Sequence, residues 1–290
     1  MIVKVYQGEV DAGLVVRDAR SIPATAAERM QQALPFPGIL VQDSLTRNDF
    51  TYGVAMFQHG FLDQAEDSFQ QVLAAKPGNA DALYNLGTLS LRRHDLAQAR
   101  TYLEKTVALR PDSPEAWNNL GMIDAEQGRA EEAVHSFQQS LTYRPNYAVA
   151  LLNLGNLYRQ QQNYDKAHEC LVRALELLPD DAEVNYSLGM LFAQQGELQP
   201  AMDYLHHALA LRPDYPEALN NLGVIYVRLS DYPRAEEQFQ AGIRVAPQLD
   251  QSYLNLARLY VMQHDRERAR QVLGQLLAID PASIAALRTA

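Results

Sequence analysis

Between residues 114 and 147 the apolar positions fall on two helical stripes separated by a short polar turn. In the first stripe Trp117, Leu120, Gly121 and Asp124 stand at i, i+3, i+4 and i+7, one face of a 3.6-residue period. In the second, Ala133, Val134, Phe137 and Leu141 make the matching face. Ser113 reads as an N-cap, Pro114 as a first helical residue, and Glu115 as a carboxylate at the positive end of the helix dipole. Gly128 offers the left-handed backbone that ends a helix, and Pro145 stops the second helix. The pattern predicts two antiparallel helices, with small residues, Gly121 and Ala133, where they approach each other. Asp124 is the one charged residue in the apolar stripe.

The same pattern recurs every 34 residues without insertion or deletion, over 46–79, 80–113, 114–147, 148–181, 182–215, 216–249 and 250–283. A Leu-Gly pair marks the first helix at Leu86-Gly87, Leu120-Gly121, Leu154-Gly155, Leu188-Gly189 and Leu222-Gly223; it becomes Tyr52-Gly53 in the first unit and Leu256-Ala257 in the last. Each second helix carries its alanine (65, 99, 133, 167, 201, 235 and 269), and each unit its proline (77, 111, 145, 179, 213, 247 and 281). With W-x-x-L-G at Trp117–Gly121, followed by Ala133, Phe137 and Pro145, the chain resembles the tetratricopeptide repeat. The resemblance implies an all-α, right-handed superhelical solenoid whose first helices line a concave groove that receives peptides. Asp124 stands where that family usually has an aromatic residue.

Residues 1–45 differ. Ile2, Val3, Val5 and Tyr6, then Val10, Leu14, Val15 and Val16, predict two short strands; Thr25 to Glu28 forms a capping box opening a helix to about Leu34. Lys4, Glu9 and Asp11 interrupt any signal-peptide core. The segment 33–38, Ala-Leu-Pro-Phe-Pro-Gly, is similar to the junction in bacterial proteins that join an ASPIC/UnbV-type, β-propeller-like domain to such repeats. The alternative to a free-standing scaffold is therefore an interaction arm of a larger protein. Residues 35–45 are apolar enough to fill the chain's own groove. Residues 284–290 begin a closing helix.

Composition narrows the function. The 290 residues carry a formal net charge of −10, which opposes a nucleic-acid partner. Only four of the 25 basic residues are lysines (Lys4, Lys76, Lys105, Lys166), a usage typical of GC-rich bacterial genes. One cysteine, Cys170, excludes an internal disulfide and fits a cytoplasmic or periplasmic chain. No apolar run is long enough to span a bilayer. His168-Glu169-Cys170 and His206-His207 lack the spacing of a metal set, and no phosphate loop or catalytic triad is present. The expectation is a scaffold without catalytic residues, metal or cofactor.

The binding candidates lie on the first helices. Asn85, Asn119, Asn153, Asn221 and Asn255 precede the small-residue position in five units, with Thr51 and Ser187 in the other two. This is similar to the asparagine ladder in the repeat region of O-linked N-acetylglucosamine transferase, which implies side-chain amides gripping an extended backbone. An amide supplies one donor and one acceptor side, matching a peptide group. The alternative is that these asparagines serve helix packing. Tyr84, Tyr186, Met122, Asn156 and Arg228, with Phe50, Leu152, Leu254, Met190 and Arg92, are candidate pocket residues; the alternative is burial between units. No groove lysine sits where related proteins clamp a chaperone tail. Self-assembly through the end units is a further option.

Overall fold

In the computed structural model residues 49–279 are described. The predicted N-terminal strands and helix, the junction segment and the closing helix lie outside these residues. Fourteen helices occupy the described residues: α1 (Asp49–Gln58), α2 (Leu62–Ala75), α3 (Ala80–Arg92), α4 (Leu96–Leu109), α5 (Pro114–Glu126), α6 (Ala130–Tyr143), α7 (Ala148–Gln160), α8 (Tyr164–Leu177), α9 (Ala182–Gln195), α10 (Leu198–Leu211), α11 (Pro216–Arg228), α12 (Tyr232–Val245), α13 (Asp250–Met262) and α14 (Arg266–Ile279). Odd and even helices pair as hairpins. They belong to two compact bodies that divide between Ala150 and Leu151.

The helices start and stop for local reasons. Asn79 Oδ1 accepts from the Ala82 N–H, and Asp181 Oδ1 accepts from the Glu183 and Val184 N–H groups. Pro114 and Pro216 occupy the first helical turn. Ser113 is an N-cap by position, but its hydroxyl makes no capping bond. The residue before each proline is pushed out of helical geometry, as at Arg110 (φ −140°, ψ 82°) and Arg144 (φ −140°, ψ 87°), because the proline ring disfavours it there.

Within each hairpin a residue with positive φ closes the turn: Gly60, His94, Gly128, Gln162, Gly196, Ser230 and His264, one every 34 residues. The residue that follows caps the next helix when the turn residue is not glycine. Asp95, Asn163, Asp231 and Asp265 each accept a backbone N–H through the side chain, whereas Phe61, Arg129 and Glu197, after glycines, do not. A non-glycine residue in the left-handed region costs about 1–2 kcal/mol, and a cap contributes about 1 kcal/mol. The two terms offset each other where both occur.

The small residues permit close approach. A Cβ on Gly121 would lie 2.7 Å from the Phe137 ring, and one on Gly87 2.8 Å from Leu103. In the first body Phe57, Phe69, Leu86 and Leu89 anchor one core cluster, and Leu103, Leu120 and Ile123 another. In the second body one cluster runs from Ala182 to Leu276, so stacked hairpins share a core that none could form alone. Ion pairs at a 29-residue offset tie the start of a first helix to the end of its own second helix: Asp81–Arg110, Glu115–Arg144 and Glu183–Arg212.

One position of the first helix differs between the bodies. It holds Met56, Ser90 and Asp124 in the first, and Tyr158, Phe192, Tyr226 and Tyr260 in the second. The buried Asp124 carboxylate pairs with Arg100 of α4 and accepts from Arg129 Nε at 3.0 Å. Burial holds its carboxyl above the ordinary value of 3.8, against the pull of Arg100. In the second body, Tyr260 donates to Glu236 at 2.7 Å and lies under the Arg268 guanidinium. Tyr226 Oη stands 3.1 Å from His206 Nε2, and His168 meets the Phe192 ring edge-on. The partners Arg100, Glu236, His206 and His168 belong to the preceding second helix, whereas Arg129 and Arg268 come from the same hairpin as the residue they meet.

Candidate functional site

The asparagine positions fall into two groups. Asn85 and Asn119 on α3 and α5, and Asn153 on α7, are only 2%, 8% and 3% exposed. Tyr84 is buried beside Asn85, and burial pushes its phenol up to about 12. Thr88, one turn on, is buried and donates to the Tyr84 carbonyl at 3.0 Å. Met122 is half-buried, and Asn118 Nδ2 contacts both Asn119 Oδ1 and the Met122 sulfur at 3.5 Å. Asn156 is buried; its amide donates to Ser187 Oγ at 3.0 Å, and its carbonyl faces Arg159.

Asn221 and Asn255 are half-exposed, and each spends one amide N–H on the preceding first helix. Asn221 Nδ2 donates to Tyr186 Oη at 2.9 Å, and Asn255 Nδ2 donates to Asn220 Oδ1 at 2.9 Å. Tyr186, half-buried, packs its ring against that of Tyr215 at 4.9 Å and a 40° tilt, and the Tyr215 hydroxyl donates to Glu183. Burial raises the Tyr186 phenol to about 12. Arg228 is exposed, and its guanidinium donates to the Ala193 carbonyl in the last turn of α9 at 3.1 Å. Arg92 makes the same link to the Phe57 carbonyl of α1. A cation on the last carbonyls of a neighbouring helix meets the negative end of its dipole.

Bracing between successive first helices therefore takes part of the hydrogen-bonding capacity of Asn156, Asn221, Asn255 and Arg228. What remains open lies on α11 and α13: one N–H and the carbonyl side of each asparagine, with Val224, Arg228, Arg258, Val261 and Met262 exposed. Val224 and Arg258 were not among the sequence candidates. They occupy the position after the small residue, the one that also holds Met122, Asn156 and Met190, so the periodicity that selected those residues also points to them. Among the described residues no group of three or more His, Cys, Asp or Glu could hold a metal ion. No helix among them is long and apolar enough to cross a membrane.

The family model of the cilia and flagella-associated protein 70 C-terminal domain matches residues 51–218, and tetratricopeptide repeat models match residues 192–253 and 251–283. The chain belongs to the tetratricopeptide repeat family. No curated protein sequence matches it. Among solved tetratricopeptide structures, the Cut9–Hcn1 hetero-tetramer of the APC/C is 19% identical with a TM-score of 0.69, covering 89% of this chain and 50% of that one. This chain thus spans half the length of that relative. A tetratricopeptide repeat protein from Parabacteroides merdae is 19% identical, TM-score 0.65, over 81% of this chain and 93% of its own. PilF of Pseudomonas aeruginosa is 24% identical, TM-score 0.62, over 71% and 93%. At these identities the likeness is one of fold. Tetratricopeptide arrays are, as a family, scaffolds for protein–protein interaction, generally without catalytic activity, and protein partners are what this fold serves.

Proposed function

We propose that the chain holds an extended protein segment along the first helices of its second body, on α9, α11 and α13. The observation that carries this is the open face shared by α11 and α13. Asn221, Val224 and Arg228 repeat as Asn255, Arg258 and Met262 on consecutive helices, at i, i+3 and i+7, all reaching solvent. The amides meet backbone groups of the segment, the arginines its acidic or carbonyl groups, and Val224, Val261 and Met262 its apolar side chains. The process is binding, with no bond made or broken.

Magnitudes decide how the work divides. A net hydrogen bond contributes about 1 kcal/mol, and each of the two asparagines has already spent part of its capacity on bracing. Micromolar affinity requires about 8 kcal/mol. Most of that must come from burying apolar side chains at about 25 cal/mol per Å² and from charge-assisted bonds to arginine.

The test is a peptide-library selection on the intact chain, followed by titration by fluorescence polarisation. Asn221→Ala with Arg258→Ala should weaken the selected peptide by at least about tenfold, about 1.4 kcal/mol, with helical circular dichroism unchanged. A library that yields no binder, or a binder indifferent to both substitutions, removes this assignment.

A further inference from the structure

Arginines of the second body have counter-charges or water. Arg212 meets Glu183, Arg234 meets Asp231, Arg268 meets Asp265 and Glu236, and Arg270 meets Glu267. Arg228 and Arg258 are exposed. Arg159, in the last turn of α7, is half-buried, and among the described residues no carboxylate pairs with it. Its Nε and Nη2 both face Asn156 Oδ1 at 3.4 Å, whereas a charge-assisted bond closes to about 2.8 Å, and the amide oxygen carries no net charge. Burial lowers the Arg159 pKa below the ordinary arginine value, and the groups whose charge bears on it are the phenols of Tyr186 and Tyr164. Burial holds the Tyr186 phenol at about 12, so it is neutral at neutral pH and supplies no counter-ion. A partly desolvated cation without a counter-charge opposes folding.

The cation is also held in place. Buried Asn156 donates through Nδ2 to Ser187 Oγ on α9 at 3.0 Å while its carbonyl faces Arg159. Asn156 occupies the edge formed by Nε and Nη2. Nη1 makes no hydrogen bond among the described residues, so the end formed by Nη1 and Nη2 keeps a two-pronged donor pair. Tyr186 Oη accepts from Asn221, which leaves its own O–H to donate. Arg159 stands near enough to that phenol to lower its pKa against burial.

We propose that Arg159 of α7 and Tyr186 of α9 receive the side-chain carboxylate of an aspartate or glutamate in the bound segment. Both residues present donors, and an ionised carboxylate is acceptor-only, with two oxygens that match the guanidinium fork. One cation with neutral donors balances one negative charge. Glu183 lies close enough to raise the Tyr186 phenol and opposes a dianion such as phosphate. A side chain fits better than a chain end, because Arg159 sits deeper than the exposed Arg228 and Arg258 and a carboxylate on a flexible stem reaches it while the backbone stays on the asparagines. The inference rests on the reading that the second body holds an extended segment, and it names an acidic residue that the segment must carry.

The experiment uses two probes on the full-length chain. The first is N-acetylglutamate N-methylamide, titrated into chain with isotope-labelled arginine and followed by NMR at the Arg159 Nε resonance, which Arg159→Lys identifies by its loss. A saturable shift is expected with this acid and none with its glutamine analogue at equal ionic strength. N-acetylglutamine, whose carboxylate is a chain end, should bind more weakly. No shift, the same shift from acid and amide, or tighter binding of N-acetylglutamine overturns the proposal. The second probe is the library-selected peptide with each acidic residue changed in turn to its amide. One such change should weaken binding to the unmodified chain about tenfold, an ordinary magnitude for a charge-assisted bond. Arg159→Gln should bind the acid and amide forms alike, and Arg159→Lys should keep part of the preference. The two readings fail separately. If the small acid shifts Arg159 but the library yields no binder, the proposed function falls and the carboxylate site stands. A binder that responds to Asn221→Ala with Arg258→Ala but not to Arg159→Gln keeps that function and overturns this site.

Discussion

The two bodies solve the same packing problem with different chemistry. At one position of the first helix the first body sets Met56, Ser90 and Asp124, and the second sets Tyr158, Phe192, Tyr226 and Tyr260. Ser90 donates to Gln98 and Asp124 draws in two arginines; the tyrosines lie under Lys166, Arg234 and Arg268. Those three cations and Gln98 all sit eight residues after the position they serve, on the next helix. Partner and slot change together, so what matters there is a matched pair rather than an aromatic residue as such.

The sharpest way to break this comparison is to exchange the chemistries. Tyr226→Ser places the first body's side chain in the second body without its glutamine partner. It should cost about 3–4 kcal/mol through the cavity and lost ring contacts. Repeat arrays couple mainly to neighbours, so native-state hydrogen exchange should show α11 and α12 unprotected and α3 and α4 unchanged. Equal loss in both places would mean that the bodies unfold as one.

Asp124→Ala should cost about 2 kcal/mol in urea denaturation, less than for a fully buried pair because Arg100 and Arg129 still reach water. Asp124→Asn should cost less. The pH dependence separates the terms. The Asp124 carboxyl lies above its ordinary value in the folded chain, so the folded state binds that proton more tightly than the unfolded one. The burial penalty is absent below the ordinary value and complete above the raised one. The wild-type advantage over Asp124→Asn should therefore grow as pH falls through that window, and an advantage that shrinks would show that the arginines outweigh burial.

The smallest effect concerns the turns. His94→Gly should stabilise by about 0.5 kcal/mol, relief of left-handed strain less the added freedom of glycine in the unfolded chain. Gly128→His should destabilise by about 1 kcal/mol, since Arg129 provides no cap. Thermal melts of the two variants read both signs.

The hairpins were legible because their punctuation is local. A proline, an alanine and a Leu-Gly pair recurring every 34 residues carry the architecture, and Gly121 is small for the reason its spacing implied. The turn at Gly128 was legible too; those at His94, Gln162, Ser230 and His264 were not, since only backbone geometry reveals left-handed residues that are not glycine. The roles of the asparagines were hidden for a different reason. Asn221 reaches Tyr186, and Asn255 reaches Asn220, at an offset of 35 residues, one more than the period, so aligning units on each other conceals the contact. Asp124 looked like an imperfection because its cation, Arg100, belongs to the hairpin before it.

That backward reach has a consequence for how such an array can grow. The contacts Asp124–Arg100, Phe192–His168 and Tyr260–Glu236 share an offset of 24 residues, so each of these three hairpins reads the identity of its predecessor. A copy of α5 and α6 inserted behind α10 would find Met202 at that offset instead of arginine. The units share one shape, yet their order is written into them, and duplication of a hairpin in place is a smaller step than its transposition.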